Sequence, residues 1–324
     1  MASPKPDFFI VGAPKSGTTA MYAYLRHHPE LYLPVQKELR YFGSDLDIRD
    51  RRPLDEVEYL AQFADGASAS HVGTAYVWYL YSRLAAREIA TFAPLARIIA
   101  MLRNPIEMLH ALHGEHLSNG NEDIRDFTEA LDAENERRAG RRIPPHAHLP
   151  QGLWYSSVPR YTEQLERYVR AFGRERVHVI LYDDFAADPG ACYSGLLRFL
   201  EVRDDVRPDG FAVINASKRT RSERLRHFLA RPPDLPRRVI SRTIPPRVRR
   251  ALYERAQRLN VTEAPRAPIT PTTRDRLRRL FSEECERLSA FLDRDVTHWT
   301  AASAAGHPPT GSGIGAEHAL ADVE

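Results

Sequence analysis

A chain of 324 residues, 43% hydrophobic and 27% charged with a formal net charge of +3, is long enough to bury one large α/β core. Its two cysteines, Cys192 and Cys285, lie in helical stretches with no second type of metal ligand beside them, which excludes a disulfide framework and a zinc site and makes a reducing compartment the default. The N-terminal apolar run is too short for a signal peptide and no later window approaches the length of a membrane span, so the expectation is a soluble, cytoplasmic protein.

The first element is DFFIVGA at 7–13, a short apolar run of β-formers; a Gly-rich turn follows, then TAMYAYLRHH at 19–28 with apolar residues at helical spacing. The turn, GAPKSGTT, has Gly12 and Gly17 at the separation of a nucleoside-triphosphate loop, but Thr18 stands where that loop has its lysine and Lys15 lies inside the turn. A strand, a glycine turn and a helix aim several backbone N–H groups and the positive end of the helix at one point, so the turn binds a phosphate. Lys15 and the hydroxyls of Ser16, Thr18 and Thr19 add donors, whereas the arrangement for a magnesium-bound triphosphate is missing. Taken alone, the turn also fits an ordinary anion-binding loop or a degenerate nucleotide loop.

A helix is expected over LDEVEYLAQFA at 54–64, a strand around HVGTAYVWYLY at 71–81, a helix over SRLAAREIATFA at 82–93 and a strand RIIAML at 97–102. That strand runs into Arg103, which at its carboxyl edge faces the crevice of an open parallel sheet and suits a second phosphate. Asn104 is placed to cap the next helix, with Pro105 at its first position and Glu107 completing a capping box. Helices IEMLHALHGEHL at 106–117, DFTEALDAENER at 126–137 and YTEQLERYVRAFG at 161–173 precede the strand VHVILY at 177–182; helices over 193–202 and 272–293 close the fold. Strands alternating with helices predict a central parallel sheet flanked by helices on both faces, an α/β three-layer fold of the P-loop type. His110, His113 and His116 recur every three residues on one helix, and Glu107 with His110 forms an E-x-x-H pair; without a second such pair they do not make a metal site. VILYDD resembles the strand and acid that hold magnesium in triphosphatases, a weak sign of a small-molecule kinase.

From Lys218 to Arg258 the chain carries fourteen Lys/Arg against three Asp/Glu, so it expects anions, but the scarcity of aromatic residues there argues against nucleic acid. The small, Gly/Pro/Ser-rich residues 301–324 read as a disordered tail, and residues 1–300 as a single domain in which 217–258 serves as a lid or nucleotide-contacting region.

Taken together, PKSGTT at 14–19 and Arg103-Asn104-Pro105 resemble the sulfotransferases that use 3′-phosphoadenosine 5′-phosphosulfate, in their bacterial and carbohydrate-type branch. VILYDDFAADPGACYSGLLRFLEV is similar to a third signature of that family, and the likeness runs from about residue 7 to about residue 226, with SKRTRS at 217–222 as its weakest part. The resemblance implies that Pro14 to Thr19 hold the 5′-phosphosulfate, that Arg103 with Lys218 and Arg221 holds the 3′-phosphate, and that Lys15 is catalytic. It also implies a catalytic base at Glu38, in a Lys37-Glu38 pair before an aromatic strand at Tyr41-Phe42. The activity implied is transfer of a sulfuryl group to a hydroxyl or amine of a small-molecule or carbohydrate acceptor, with adenosine 3′,5′-bisphosphate as product and no metal required. Three positions depart from the family pattern: Ala111 stands in place of the serine eight residues after the arginine, Arg40 in place of a frequent histidine, and Ala75 where some relatives have lysine. A kinase, or a bisphosphonucleotide-binding protein without turnover, are the alternative readings. His110 and His113 are open candidates for the acceptor pocket.

Overall fold

The computed structural model describes residues 3–49, 52–208, 210–211, 218–220, 261–263 and 266–302, the two short segments 218–220 and 261–263 by their backbone. Five strands, β1 (Phe8–Gly12), β2 (Leu31–Tyr32), β3 (His71–Ala75), β4 (Arg97–Leu102) and β5 (Val177–Leu181), form one parallel sheet in the order β2–β3–β1–β4–β5. Every residue of β1 is buried, as a strand covered on both faces requires. Its side chains alternate: Phe9 and Val11 enter one core with Ile98, Ala100 and Leu102, while Phe8 and Ile10 enter the other with Ile99, Met101 and Ile180.

The first core is covered by α2 (Glu56–Ala61), α3 (Ala85–Phe92), α4 (Pro105–Asn119), α7 (Tyr161–Phe172) and α10 (Pro271–Leu292); the second by α1 (Thr18–Leu25) and α9 (Pro189–Leu200). On α10 the buried Leu277, Phe281, Cys285 and Leu288 fall on one helical face. From the same helix the buried Glu284 accepts from the backbone N–H and the hydroxyl of Thr162, both at 2.8 Å, and so caps α7 from outside. Residue 161, at that helix end, donates its phenol to the Arg103 carbonyl at 3.1 Å. The C-terminal helix thereby fixes the backbone from which Arg103 projects.

Several expected elements take a different form. The strand predicted over 71–81 ends at Ala75: Tyr76 N makes the last ladder bond, to the Ile10 carbonyl, and the chain then turns, Tyr79 N closing on the Tyr76 carbonyl and Leu80 N bending back to the Val11 carbonyl. No strand follows Glu38: Tyr41 and Phe42 lie in an irregular segment whose N–H groups both donate to the Tyr79 phenol. The helix predicted over 126–137 is two short ones, α5 (Phe127–Asp132) and α6 (Glu134–Arg138). Asp183 and Asp184, expected to end a strand, open α8 (Tyr182–Ala187). Asn104 does cap α4, accepting from Ile106 N at 2.9 Å, but Glu107 pairs with Arg274 at 2.8 Å instead of closing a capping box. Lys218–Thr220 and Val261–Glu263 form a separate antiparallel pair, β6 and β7. Arg221, the side chain of Lys218, most of the expected 217–258 lid and the expected tail beyond residue 302 lie outside the described residues.

Candidate active site

From β1 the chain continues to β2 and β3 on one side of the sheet and to β4 and β5 on the other, so a crevice opens at the carboxyl end of β1, where the connections diverge. A cleft of about 710 Å³ occupies that place. Gly17, at φ 88°, makes the sharp entry into α1, and a Cβ there would stand 3.0 Å from the Phe185 ring. No side chain caps this helix, and the N–H groups of Gly17, Thr18 and Thr19 have no acceptor among the described residues. Unsatisfied amides at a helix N-terminus, opening on a cleft, are an anion site.

Pro14, Lys15, Gly17, Thr18 and Thr19 line the cleft. Ser16 does not: its side chain is buried and its hydroxyl donates back to the Pro14 carbonyl at 3.3 Å. Lys15 has a left-handed backbone at φ 57°, its carbonyl accepts from Arg103 Nη1 at 3.2 Å, and its ammonium is ion-paired with Glu115 of α4. The cation at the helix N-terminus is Lys37, whose Nζ donates to Thr18 Oγ1 at 3.2 Å and Thr19 Oγ1 at 3.3 Å. Lys37 also pairs with Glu38 Oε1 at 2.8 Å. The other Glu38 oxygen accepts from Val77 N at 3.1 Å, and its own N–H donates to the Ala75 carbonyl at 3.1 Å. Glu38 is thus fixed to the end of β3, with its carboxylate at the lip of the loop.

The rest of the cleft is built from side chains. Arg103 projects from the end of β4 with its guanidinium 4.4 Å above the Tyr182 ring. Arg266, which follows β7, and Arg103 both line the cleft with Ala111. Arg266 crosses α4 at Gly114, where a Cβ would stand 2.9 Å from its Nε, so the glycine forms the notch that admits it. Partial burial, and after it the charge of Arg103, lower the Arg266 pKa from the usual guanidinium value. Two like charges held this close mark a place for an anion. Tyr24, Phe185 and Phe211 add an aromatic wall, with Tyr24 and Phe211 centroids 5.0 Å apart.

The histidines of α4 do not reach the cleft. His113 bonds the Ile124 carbonyl at 2.9 Å, His110 packs on Phe127, and the buried His116 lies parallel to Trp78, where burial pushes its pKa down to about 4. Among the described residues no three His, Cys, Asp or Glu side chains cluster as a metal site. Asp184 pairs with Arg294 and Asp183 accepts from the Trp299 indole at 2.6 Å, so the acids after β5 hold the C-terminal segment and stay out of the cleft. That removes the feature on which the kinase reading rested.

The residues missed in the sequence are Arg266, Glu115 and the part played by Lys37. Lys37 adjoins the expected base and was within reach. Arg266 is 163 positions from Arg103 and has no motif of its own beyond standing between Pro265 and Pro268.

Comparisons with known proteins bear on the family and the fold. A family model described as a sulfotransferase domain matches residues 5–209. The crystal structure of a sulfotransferase from Alicyclobacillus acidocaldarius superposes with a TM-score of 0.68 at 27% identity, covering 92% of this chain and 100% of that one. The bifunctional heparan sulfate N-deacetylase/N-sulfotransferase 1 of Caenorhabditis briggsae is 23% identical over 210 residues, 61% of this chain and 23% of the relative. The membrane-associated sulfotransferase kil1 of Dictyostelium discoideum is 21% identical over 273 residues, 61% of this chain and 56% of the relative. The chain therefore spans about a quarter to about half the length of these two curated relatives.

Proposed function

The chain belongs to the sulfotransferase domain family, and on that premise we propose that it moves a sulfuryl group from 3′-phosphoadenosine 5′-phosphosulfate to a hydroxyl or amine of an acceptor. The observation that carries this reading is one cleft that gathers two groups of anion donors. One group is the free helix amides with Lys37 and Lys15; the other is Arg103, which also bonds the Lys15 carbonyl, with Arg266. A nucleotide with phosphate groups on both the 5′ and 3′ positions matches two such groups, with the aromatic wall of Tyr24, Phe185 and Phe211 available to the base.

The donor supplies an activated sulfuryl group: a bond from sulfur to the acceptor oxygen or nitrogen forms as the sulfur–oxygen bond to the 5′-phosphate breaks, leaving adenosine 3′,5′-bisphosphate. The loop amides of Gly17 to Thr19 and the Thr18 and Thr19 hydroxyls hold the 5′-phosphosulfate still. Lys37 and Lys15 stabilise charge that grows on the bridging oxygen. Glu38, held by Val77 N and Lys37, takes the acceptor proton. Arg103 and Arg266 anchor the 3′-phosphate, beside the Lys218 and Arg221 expected from the sequence. No step of this mechanism is routed through a metal. The acceptor class we propose is a carbohydrate hydroxyl or amine, and the location we propose is the cytoplasm. Among the described residues no helix is long and apolar enough to cross a membrane. A transfer screen with labelled donor against carbohydrate, phenol, lipid and amine acceptors tests the reading: label on an acceptor, lost in Glu38→Gln, supports it, and no transfer to any class contradicts it.

A further inference from the structure

Lys15 and Lys37 are not equivalent. Lys37 already stands on the hydroxyls at the α1 N-terminus, where an anion is expected, whereas Lys15 is drawn away along α4 by Glu115. The backbone of Lys15 is held independently of its side chain, by its left-handed conformation and by Arg103 on its carbonyl. Its four-carbon stem can therefore swing while the turn stays in place. The side chains of Lys15 and Glu115 are 27% and 40% exposed, so the ion pair is wet and weak enough to exchange. Glu115 lines the cleft itself, and its charge acts on Arg266 as well. It has no other fixed partner for its carboxylate among the described residues.

We propose that Glu115 is a positioning residue that parks Lys15: its carboxylate stands in for the 5′ anion in the free protein, and the incoming nucleotide must take the ammonium from it. Lys37 is the resident cation of the site and Lys15 the exchanged one. This rests on the reading of the cleft as a bisphosphonucleotide site, and it adds a competing internal anion to it.

The test is calorimetric titration of adenosine 3′,5′-bisphosphate, and separately of inorganic sulfate, into the full chain as wild type, Glu115→Gln, Glu115→Asp, Lys15→Ala and the Lys15→Ala/Glu115→Gln double variant. Removing a partly exposed ion-pair partner is expected to tighten nucleotide binding by roughly 2- to 5-fold in Glu115→Gln. In the Lys15→Ala background the same change is expected to give less than about twofold, because no ammonium remains to be released. Glu115→Asp, which keeps the charge, is expected to stay near wild type. An unchanged or weakened affinity in Glu115→Gln overturns the proposal, and so does an equal gain with and without Lys15, which would mark a general charge effect. The sulfate arm keeps the two readings apart. If the bisphosphate fails to bind wild type, the nucleotide reading falls, and the Lys15-dependent gain is then read with sulfate alone.

Discussion

The two groups of donors in the cleft are made in different ways. In the loop group, the donors are largely backbone N–H groups of consecutive residues, aimed by one turn between β1 and α1, and a tight local bend is all that positions them. In the arginine group, the donors are two side chains 163 positions apart, one at the end of β4 and one after β7, brought together by α4 and its glycine notch. A site of the first kind survives loss of any one side chain as a binding site but loses catalysis; a site of the second kind loses binding when either side chain goes. The variants below separate those behaviours.

The largest effect is expected at Glu38, at the lip of the loop. Glu38→Gln keeps nucleotide affinity and lowers transfer to an aliphatic alcohol by about 10²–10⁴-fold, the usual contribution of a general base; steady-state transfer rates beside bisphosphate titrations check it. In the loop group, Lys15→Ala is expected to cost about 10²-fold in transfer, as removal of other transition-state donors does, with a much smaller loss of affinity because the amides remain. Equal losses in rate and affinity would erase the distinction drawn between the two groups.

In the arginine group the sign reverses. Arg266→Ala should weaken adenosine 3′,5′-bisphosphate by about 10- to 150-fold, the equivalent of roughly 1.5–3 kcal/mol for charge-assisted hydrogen bonds, and leave adenosine 5′-phosphate unchanged. Gly114→Val should reproduce much of this loss by filling the notch, although residue 114 itself carries no donor. The smallest effect is expected for Ala111→Ser. Ala111 is buried in the same wall, so a hydroxyl there adds one donor to a place that Arg266 already serves, and the gain in bisphosphate affinity should be only a few-fold. A gain for adenosine 5′-phosphate as well would show that residue 111 does not face the 3′ side.

The same contrast explains how much could be read from the chain. The loop was legible because its chemistry is contiguous: glycine spacing, a preceding apolar run and a following amphipathic segment all occur within 22 residues, 7 to 28. Parallel-sheet architecture was legible for the same reason, from strands and helices that alternate locally. What failed was everything decided by distant partners. HVGTAYVWYLY has the composition of a long strand, but its second half turns, with Leu80 N bent back to the Val11 carbonyl. Ser16 looks like a donor in PKSGTT, yet the turn buries it. Asp183 and Asp184 look like metal ligands after a strand, and only the fold brings Arg294 and Trp299 to them. Arg266 had no local pattern at all, since its function depends on Gly114, 152 positions earlier.

The most direct measurement is a calorimetric comparison, on the unmodified chain, of adenosine 3′,5′-bisphosphate, adenosine 5′-phosphate and ATP with magnesium. A cleft with two groups of anion donors predicts that the bisphosphate binds at least about tenfold more tightly than adenosine 5′-phosphate, without magnesium, and more tightly than ATP with it. Preference for magnesium–ATP, or equal affinity for the bisphosphate and the monophosphate, would contradict the two-group site and the sulfuryl-transfer function built on it.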